Sequence, residues 1–302
     1  MFKVITSEFA GVTLPGRMIT PLRKVWEPDQ ITCKVIPQDF NVHDDIRKVS
    51  EKLLEIKQPS VNNETFHYRR AKVSDDGIEL EVGRSRYQFN LLHAAFEDSI
   101  RLDHPELAET LLRHVSEEDL FDLGKLGGPL SSGVGVTTVV VLKDRQTIMV
   151  HRSKEVSLNA DTDHPALAEG VNPEEDVSGE IDLSSVAIRS GVEELNLPIR
   201  REDLVHLGLC VDGRYWSPGN IAKVEVPLTW QEVKERSEKA RDRWERDDIR
   251  FIPYTPQGIA KELQLATEPG RGVTGFGSMA LLQAGIYDFG RSAVDAAFRA
   301  LL

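Results

Sequence analysis

The stretch GVTTVVVL at 135–142 limits most strongly how this chain can fold. It is the most apolar run in the sequence, and at eight residues it is far short of the roughly 20 that a membrane-spanning helix needs. Its β-branched side chains and length read as a buried strand. Lys143-Asp144-Arg145 then gives a turn, and QTIMVHRS reads as a second strand. A loop of about twenty residues follows, then an acidic segment, then a short helix, AIRSGVEELNLPI at 187–199.

The rest of the chain alternates strand and helix patterns. Residues 29–36 read as a strand, and 42–57 as a helix with Val49, Leu53 and Ile56 at helical spacing. ETFHYRRAKV and GIELEVGR predict a hairpin across SDDG, and 89–114 reads as helical with a break at Asp103-His104-Pro105. LGKLGGPLSSG at 123–133 has linker composition. Strands are expected at 204–211, 220–228 and 249–254, a charged amphipathic helix from 229, and helices near 256–266 and 278–300. Strands flanked by helices in one unit predict an α/β or α+β sandwich.

Charge narrows the function classes. The 302 residues hold 37 Lys and Arg against 49 Asp and Glu, a formal net charge of −12. A nucleic-acid backbone binder depends on clustered cations, so no nucleic-acid partner is expected. Cys33 and Cys210 form no CxxC pair, which disfavours a disulfide framework or structural zinc and fits a reducing, cytoplasmic compartment. No secretory leader and no membrane partner are expected. The histidines form no HExxH pattern, and no GxSxG elbow occurs.

On the 187–199 helix, Ile188, Val192 and Leu195 share one face at 100° per residue, and Ser190, Glu193 and Glu194 share the other. The predicted helix runs over 183–196 with the first set buried. Two carboxylates beside a hydroxyl can hold a hard cation such as Mg²⁺; a solvated acidic face is the plain alternative. Gly191 costs a helix about 1 kcal/mol against Ala and therefore suggests a close approach there.

This helix, with the hairpin and glycine-bearing loop before it, resembles the Nudix superfamily, whose box is G-x5-E-x7-R-E-U-x-E-E-x-G-U with U aliphatic. Gly170 matches the first glycine, Arg189 the arginine, Glu193 and Glu194 the paired glutamates, and Leu197 the last aliphatic residue. Ser190 replaces a metal-binding glutamate, Gly191 an aliphatic residue and Asn196 the closing glycine, and the Gly170–Arg189 spacing is five residues longer. The NLP ending, the acidic insertion, VPLTWQEV, RSRYQFN at 84–90 and the small-residue segment 272–285 resemble the UDP-glucose/UDP-galactose-cleaving branch.

The resemblance implies a Nudix α/β/α sandwich with a mixed sheet over 131–302, preceded by a smaller α+β accessory domain over 1–125. It implies Mg²⁺- or Mn²⁺-dependent hydrolysis of a nucleoside diphosphate linked to another group, with a UDP-sugar favoured. The alternative is a Nudix-fold ligand-binding module without catalysis, to which Ser190 points. Glu193, Glu194, Arg189 and Glu225 are the catalytic candidates. Glu193, Glu194, the Gly170 carbonyl, and Glu180 or Asp182 from the acidic run 174–182 are the metal candidates, although a solvated loop is the favoured reading of that run. Glu225 shares a strand face with Ile221 and Lys223 and reads as a distal ligand or an exposed edge residue. Arg152 and Ser153 end the second strand, where a guanidinium suits a phosphate or a surface ion pair. Tyr87, Arg214 and Trp216 are candidates for the nucleoside or sugar, with core packing the alternative for Trp216. The loop 268–278, with Arg271, suggests either an anion site at a helix start or a plain connector.

Overall fold

A computed structural model describes residues 4–59, 62–126, 128–156, 158–267 and 272–302. The chain is α/β, and its centre is the apolar run of 135–142. Strand β7 (Gly135–Leu142) is buried on both faces because its alternate residues enter two different cores. Before it come a short hairpin, β1 (Ser7–Phe9) and β2 (Val12–Leu14), then β3 (Gly16–Met18) and β4 (Ile31–Asp39). Helix α1 (Asp44–Lys57) leads to β5 (Glu64–Val73) and β6 (Ile78–Arg86), paired across the predicted turn. Short helices α2 (Tyr87–Asn90), α3 (Asp98–Asp103), α4 (Pro105–Leu112) and α5 (Glu117–Phe121) follow, broken where Pro105 starts a new helix.

After β7, β8 (Gln146–Arg152) turns back, but the two strands pair only at Val141–Thr147. They then splay, and β9 (Asp163–Pro165) and β10 (Leu167–Gly170) fill the gap, on β8 and β7 respectively. The strands β11 (Val177–Ser178) and β12 (Glu180–Ile181) precede α6 (Leu183–Leu195). β13 (Leu204–Asp212), β14 (Ser217–Val226), α7 (Trp230–Ser237) and β15 (Arg246–Pro253) come next, and α8 (Pro256–Gln264), α9 (Gly275–Phe289) and α10 (Arg291–Arg299) end the chain. The main sheet runs β15-β8-β7-β14-β13-β3 and is mixed, with β7 and β14 parallel. Helix α6 lies on one face and α8, α9 and α10 on the other, a three-layer arrangement.

The two parts of the chain trade strands. β3 pairs with β13 in the main sheet, and β12 pairs with β4 in the sheet of the first part. The 123–133 stretch is also not a free linker: its described residues are stitched along β5, with Tyr68 N–H donating to Ser131 O and Gly133 N–H to Phe66 O, and Leu126 and Leu130 buried. The expected long helix from 229 ends at Ser237, because residues 246–253 are drawn into the sheet edge against β8. The predicted 278–300 helix breaks at Gly290, at φ 81°, a conformation open to glycine.

Helix α6 is continuous, as expected, but its faces are not those the periodicity suggests. Val192 is 52% exposed and Ile188 half-buried, whereas Ser190, Glu193 and Glu194 are buried. The polar residues turn inward because each finds a partner there. Gly191 explains itself: a Cβ would stand 2.3 Å from Ile199 Cδ1, where the chain folds back over the helix. Asn196 caps the helix at φ 53°, a left-handed position that asparagine tolerates in place of glycine.

On the opposite face, the fully buried Asp212 ties the end of β13 to the start of α9. Its oxygens accept from the N–H groups of Arg214 (3.0 Å), Tyr215 (3.3 Å), Gly275 (2.7 Å) and Phe276 (3.3 Å). The helix start considered as an alternative anion site is thus filled by the protein's own carboxylate; Arg271 lies outside the described residues. Asp212→Ala leaves these donors unsatisfied and is expected to lower the unfolding free energy by about 3 kcal/mol in urea titrations, with Asp212→Asn costing less because it keeps an acceptor oxygen.

Candidate functional site

Arg189, on α6, is nearly buried and organises its surroundings. Its Nη2 donates to Gly170 O (2.9 Å) and to Asp176 Oδ2 (2.7 Å), its Nε to Asp176 Oδ1 (3.2 Å), and its Nη1 to Glu193 Oε2 (3.0 Å). Glu169 stands 3.4 Å from the same guanidinium and Glu175 3.7 Å. Arg189 and Glu193, both catalytic candidates, are therefore paired, and the acidic run contributes Asp176 to the same guanidinium. The Gly170 carbonyl is occupied as an acceptor for Arg189.

Glu194 is buried behind this pair. The Ser190 hydroxyl donates to its Oε1 at 2.6 Å, and the Ala168 N–H at 3.1 Å. Burial pushes Glu194 up to about 8, with Glu169 repelling it further and these two donors opposing. Glu169 is pushed up to about 7 by burial, against the pull of Arg189 and with repulsion from Glu245 and Glu193. Glu245 is raised too, by burial first, with Arg152 opposing. Glu193 takes a second cation, Arg241, at 2.8 Å. Four glutamates thus repel one another around Arg189, Arg152 and Arg241.

A cleft of about 980 Å³ opens beside them. Glu169, Gly170, Glu245 and Arg152 line it, and the first part of the chain supplies Tyr87, Asn90 and His93. Trp244, 56% exposed, and Tyr215 add aromatic surface. A cavity of about 10 Å³, roughly one water in size, shares Arg152 and Glu245 with the cleft and reaches Glu194 and the buried His164. Two of the buried polar atoms that find no hydrogen-bond partner among the described residues, His164 Nδ1 and Arg152 Nε, lie at this cavity.

Several sequence candidates lie elsewhere. Glu225 is on the α9 face of the sheet, paired with Lys223 at 2.7 Å, because odd-numbered residues of β14 point away from α6. Asp182 caps the far end of α6, accepting from Ser184 N–H and pairing with Arg201, and Glu180 is an exposed residue of the β11–β12 hairpin. Neither reaches Glu193 and Glu194, since the helix separates them by more than ten residues, about 17 Å at its rise. Trp216 is buried against Phe96, and Arg214 donates to Ala266 O, so Tyr215 rather than either neighbour lines the cleft. Ser153 is buried in a turn, its Oγ accepting from Glu155 N–H. Arg152 and Tyr87 do line the cleft.

Sequence reading does not single out Glu169, Glu245 or Trp244, and it includes Asp176 only as a member of the acidic run 174–182. Glu169 was adjacent to the matched glycine; Glu245 and Trp244 were hidden in a segment that reads as helix. No protein-family model matches this chain, and no curated protein matches it at a significant level.

The raised carboxyls set a pH dependence. Glu194 and Glu169 move up from an ordinary 4.5, so the folded state holds protons the unfolded chain releases. The stability this adds is present in full below 4.5 and is lost as pH rises through about 7 to 8. Metal-free protein should therefore lose stability between pH 5 and 8.5 (about those limits, by the linkage relation), and Glu194→Gln should flatten that slope. An equal slope in thermal unfolding of both proteins would contradict the assignment.

Proposed function

We propose that the protein is a Nudix-type, divalent-cation-dependent hydrolase of a nucleoside diphosphate linked to another moiety, with a UDP-sugar-like compound as the favoured substrate. The observation that carries this reading is a cluster of four carboxylates beside a cleft: Glu169 and Glu193 lie against Arg189, Glu194 and Glu245 sit close enough to Glu169 to repel it, and Glu169, Glu245 and Arg152 line the cleft. The Nudix likeness gains a further residue: Asp176 follows Gly170 with five residues between them, the place of the box's first glutamate, and it bonds Arg189. The five additional residues then fall between Asp176 and Arg189, where β11 and β12 fold outward onto β4.

The donor set fits a hard cation. Carboxylate oxygens suit Mg²⁺ or Mn²⁺, and a cation relieves the mutual repulsion that raises Glu169 and Glu194. Glu169, Glu193, Glu194 and Glu245 would hold it; such an ion, when bound, neutralises diphosphate charge and lowers the pKa of a coordinated water. Arg152 presents a guanidinium to a phosphate. Tyr87, Asn90, Tyr215 and Trp244 offer stacking and hydrogen-bonding surface to the base and the second moiety. The cleft volume is at the upper end of small-molecule sites, which leaves room for a two-part substrate.

Ser190 favours a second reading, a ligand-binding module without catalysis. Where the box has a glutamate, its hydroxyl donates to Glu194. Incubation with nucleoside-diphosphate-linked compounds and Mg²⁺ or Mn²⁺, read by chromatography of products, separates the two. Hydrolysis that falls about 10²-fold or more in Glu194→Gln and Glu169→Gln is expected. Cation affinity should rise with pH up to about 8, because the ion displaces protons from Glu169 and Glu194. Nucleotide binding with no turnover of any compound would instead establish the binding module.

A further inference from the structure

Away from the cleft, His43, Asp45 and His114 converge where α1 begins and the chain leaves α4. A single oxygen, Asp45 Oδ2, lies 3.5 Å from His43 Nδ1 and 3.5 Å from His114 Nε2. The ligand atoms of all three residues are within 4.8 Å of one another. The two imidazoles stack with centroids 4.4 Å apart and planes 29° apart, and one nitrogen of each lies beside the same carboxylate oxygen.

Those separations are too long for good N–H···O hydrogen bonds. They match ligands around one ion: with bonds of about 2.0–2.1 Å and a tetrahedral angle, two ligand atoms stand about 3.3 Å apart. Two imidazole nitrogens with one carboxylate oxygen suit a borderline transition metal, whereas Mg²⁺ prefers oxygen ligands throughout. Exposure of the three side chains, 58% for His43, 45% for Asp45 and 23% for His114, leaves the remaining coordination position to water.

We propose that His43, Asp45 and His114 form a peripheral binding site for a divalent transition metal of the Zn²⁺ class, independent of the carboxylate cluster. The ion adds a polar tie between the start of α1 and the residues after α4, which already share an apolar core through Ile46, Val49, Leu111 and Val115. The other end of α1 carries Ile56 and Lys57 into the lining of the cleft, so the bound ion fixes a helix that forms part of its wall. Binding replaces the hydrogen bond in which His43 Nδ1 accepts from Asp45 N–H at 3.2 Å, at an exposed helix end where water can take over.

The test is Zn²⁺ titration calorimetry on the whole chain, with Co²⁺ visible absorption as a second readout. The variants are His43→Asn, His114→Gln and, as a control for the carboxylate cluster, Glu194→Gln. Asparagine is a good helix N-cap, so His43→Asn removes the imidazole and keeps the cap. Circular dichroism without metal checks that each variant is folded. Each histidine variant should lose about 10-fold or more in affinity for one Zn²⁺ equivalent and lose the Co²⁺ band, while Glu194→Gln keeps both. Unchanged Zn²⁺ affinity in both histidine variants, or loss of that equivalent in Glu194→Gln alone, would overturn the proposal.

Discussion

The guanidinium of Arg189 fastens together three segments at the edge of a shared apolar core. It reaches the end of β10 through Gly170 O, the acidic loop through Asp176, and its own helix through Glu193. A planar fork with five donors can satisfy these acceptors together in a way that a lysine ammonium cannot. Because its charge is nearly buried, removing it would strand several carboxylates in a poorly hydrated site. The position of Glu169 and the orientation of Glu193 both follow from this one side chain.

Around it, the protein holds more negative charge than it neutralises locally. Arg152 and Arg241 compensate part of it, and Ser190 and Ala168 N–H solvate Glu194. Glu169 and Glu194 nonetheless move toward their neutral forms. Strong perturbation of several groups beside a cleft is characteristic of functional sites, where stability is given up for readiness to bind a cation or proton.

The cleft depends equally on how the two parts of the chain are joined. Asn220 Nδ2 donates to Tyr68 OH and, at 3.0 Å, to Gly135 O, bridging β14, β5 and β7. His93 is held between Tyr215 O (3.0 Å) and Ser132 O (3.2 Å). These bonds, with the core shared by β4–β6 and the main sheet, fix Tyr87 and Asn90 opposite Arg152 and Glu245. Among the described residues, no helix is long and apolar enough to cross a membrane.

Local pattern alone determined the elements with strong periodicity or turn chemistry: the buried strand at 135–142, the β5–β6 hairpin, α1 and the α6 helix with its Arg189–Glu193 pair. The Nudix resemblance, rather than local pattern, pointed to Glu194, Arg152 and Tyr87. Tertiary structure decided which faces were buried. Glu193, Glu194 and Ser190 read as the wet side of α6 because periodicity scores hydrophobicity and is blind to partners supplied from distant sequence, the Ala168 N–H of β10 and the Arg241 guanidinium. Strand parity sent Glu225 to the opposite face, and helix length kept Asp182 away. Glu169 and Glu245 joined the cluster only through long-range packing: one ends a strand wedged between β7 and β8, and the other precedes an edge strand that overrides a helical pattern. Burial and pairing are properties of the folded whole, so Arg189, Glu193 and Glu194 were legible in the chain as residues, while their buried, paired surroundings and the addition of Glu169 and Glu245 were not.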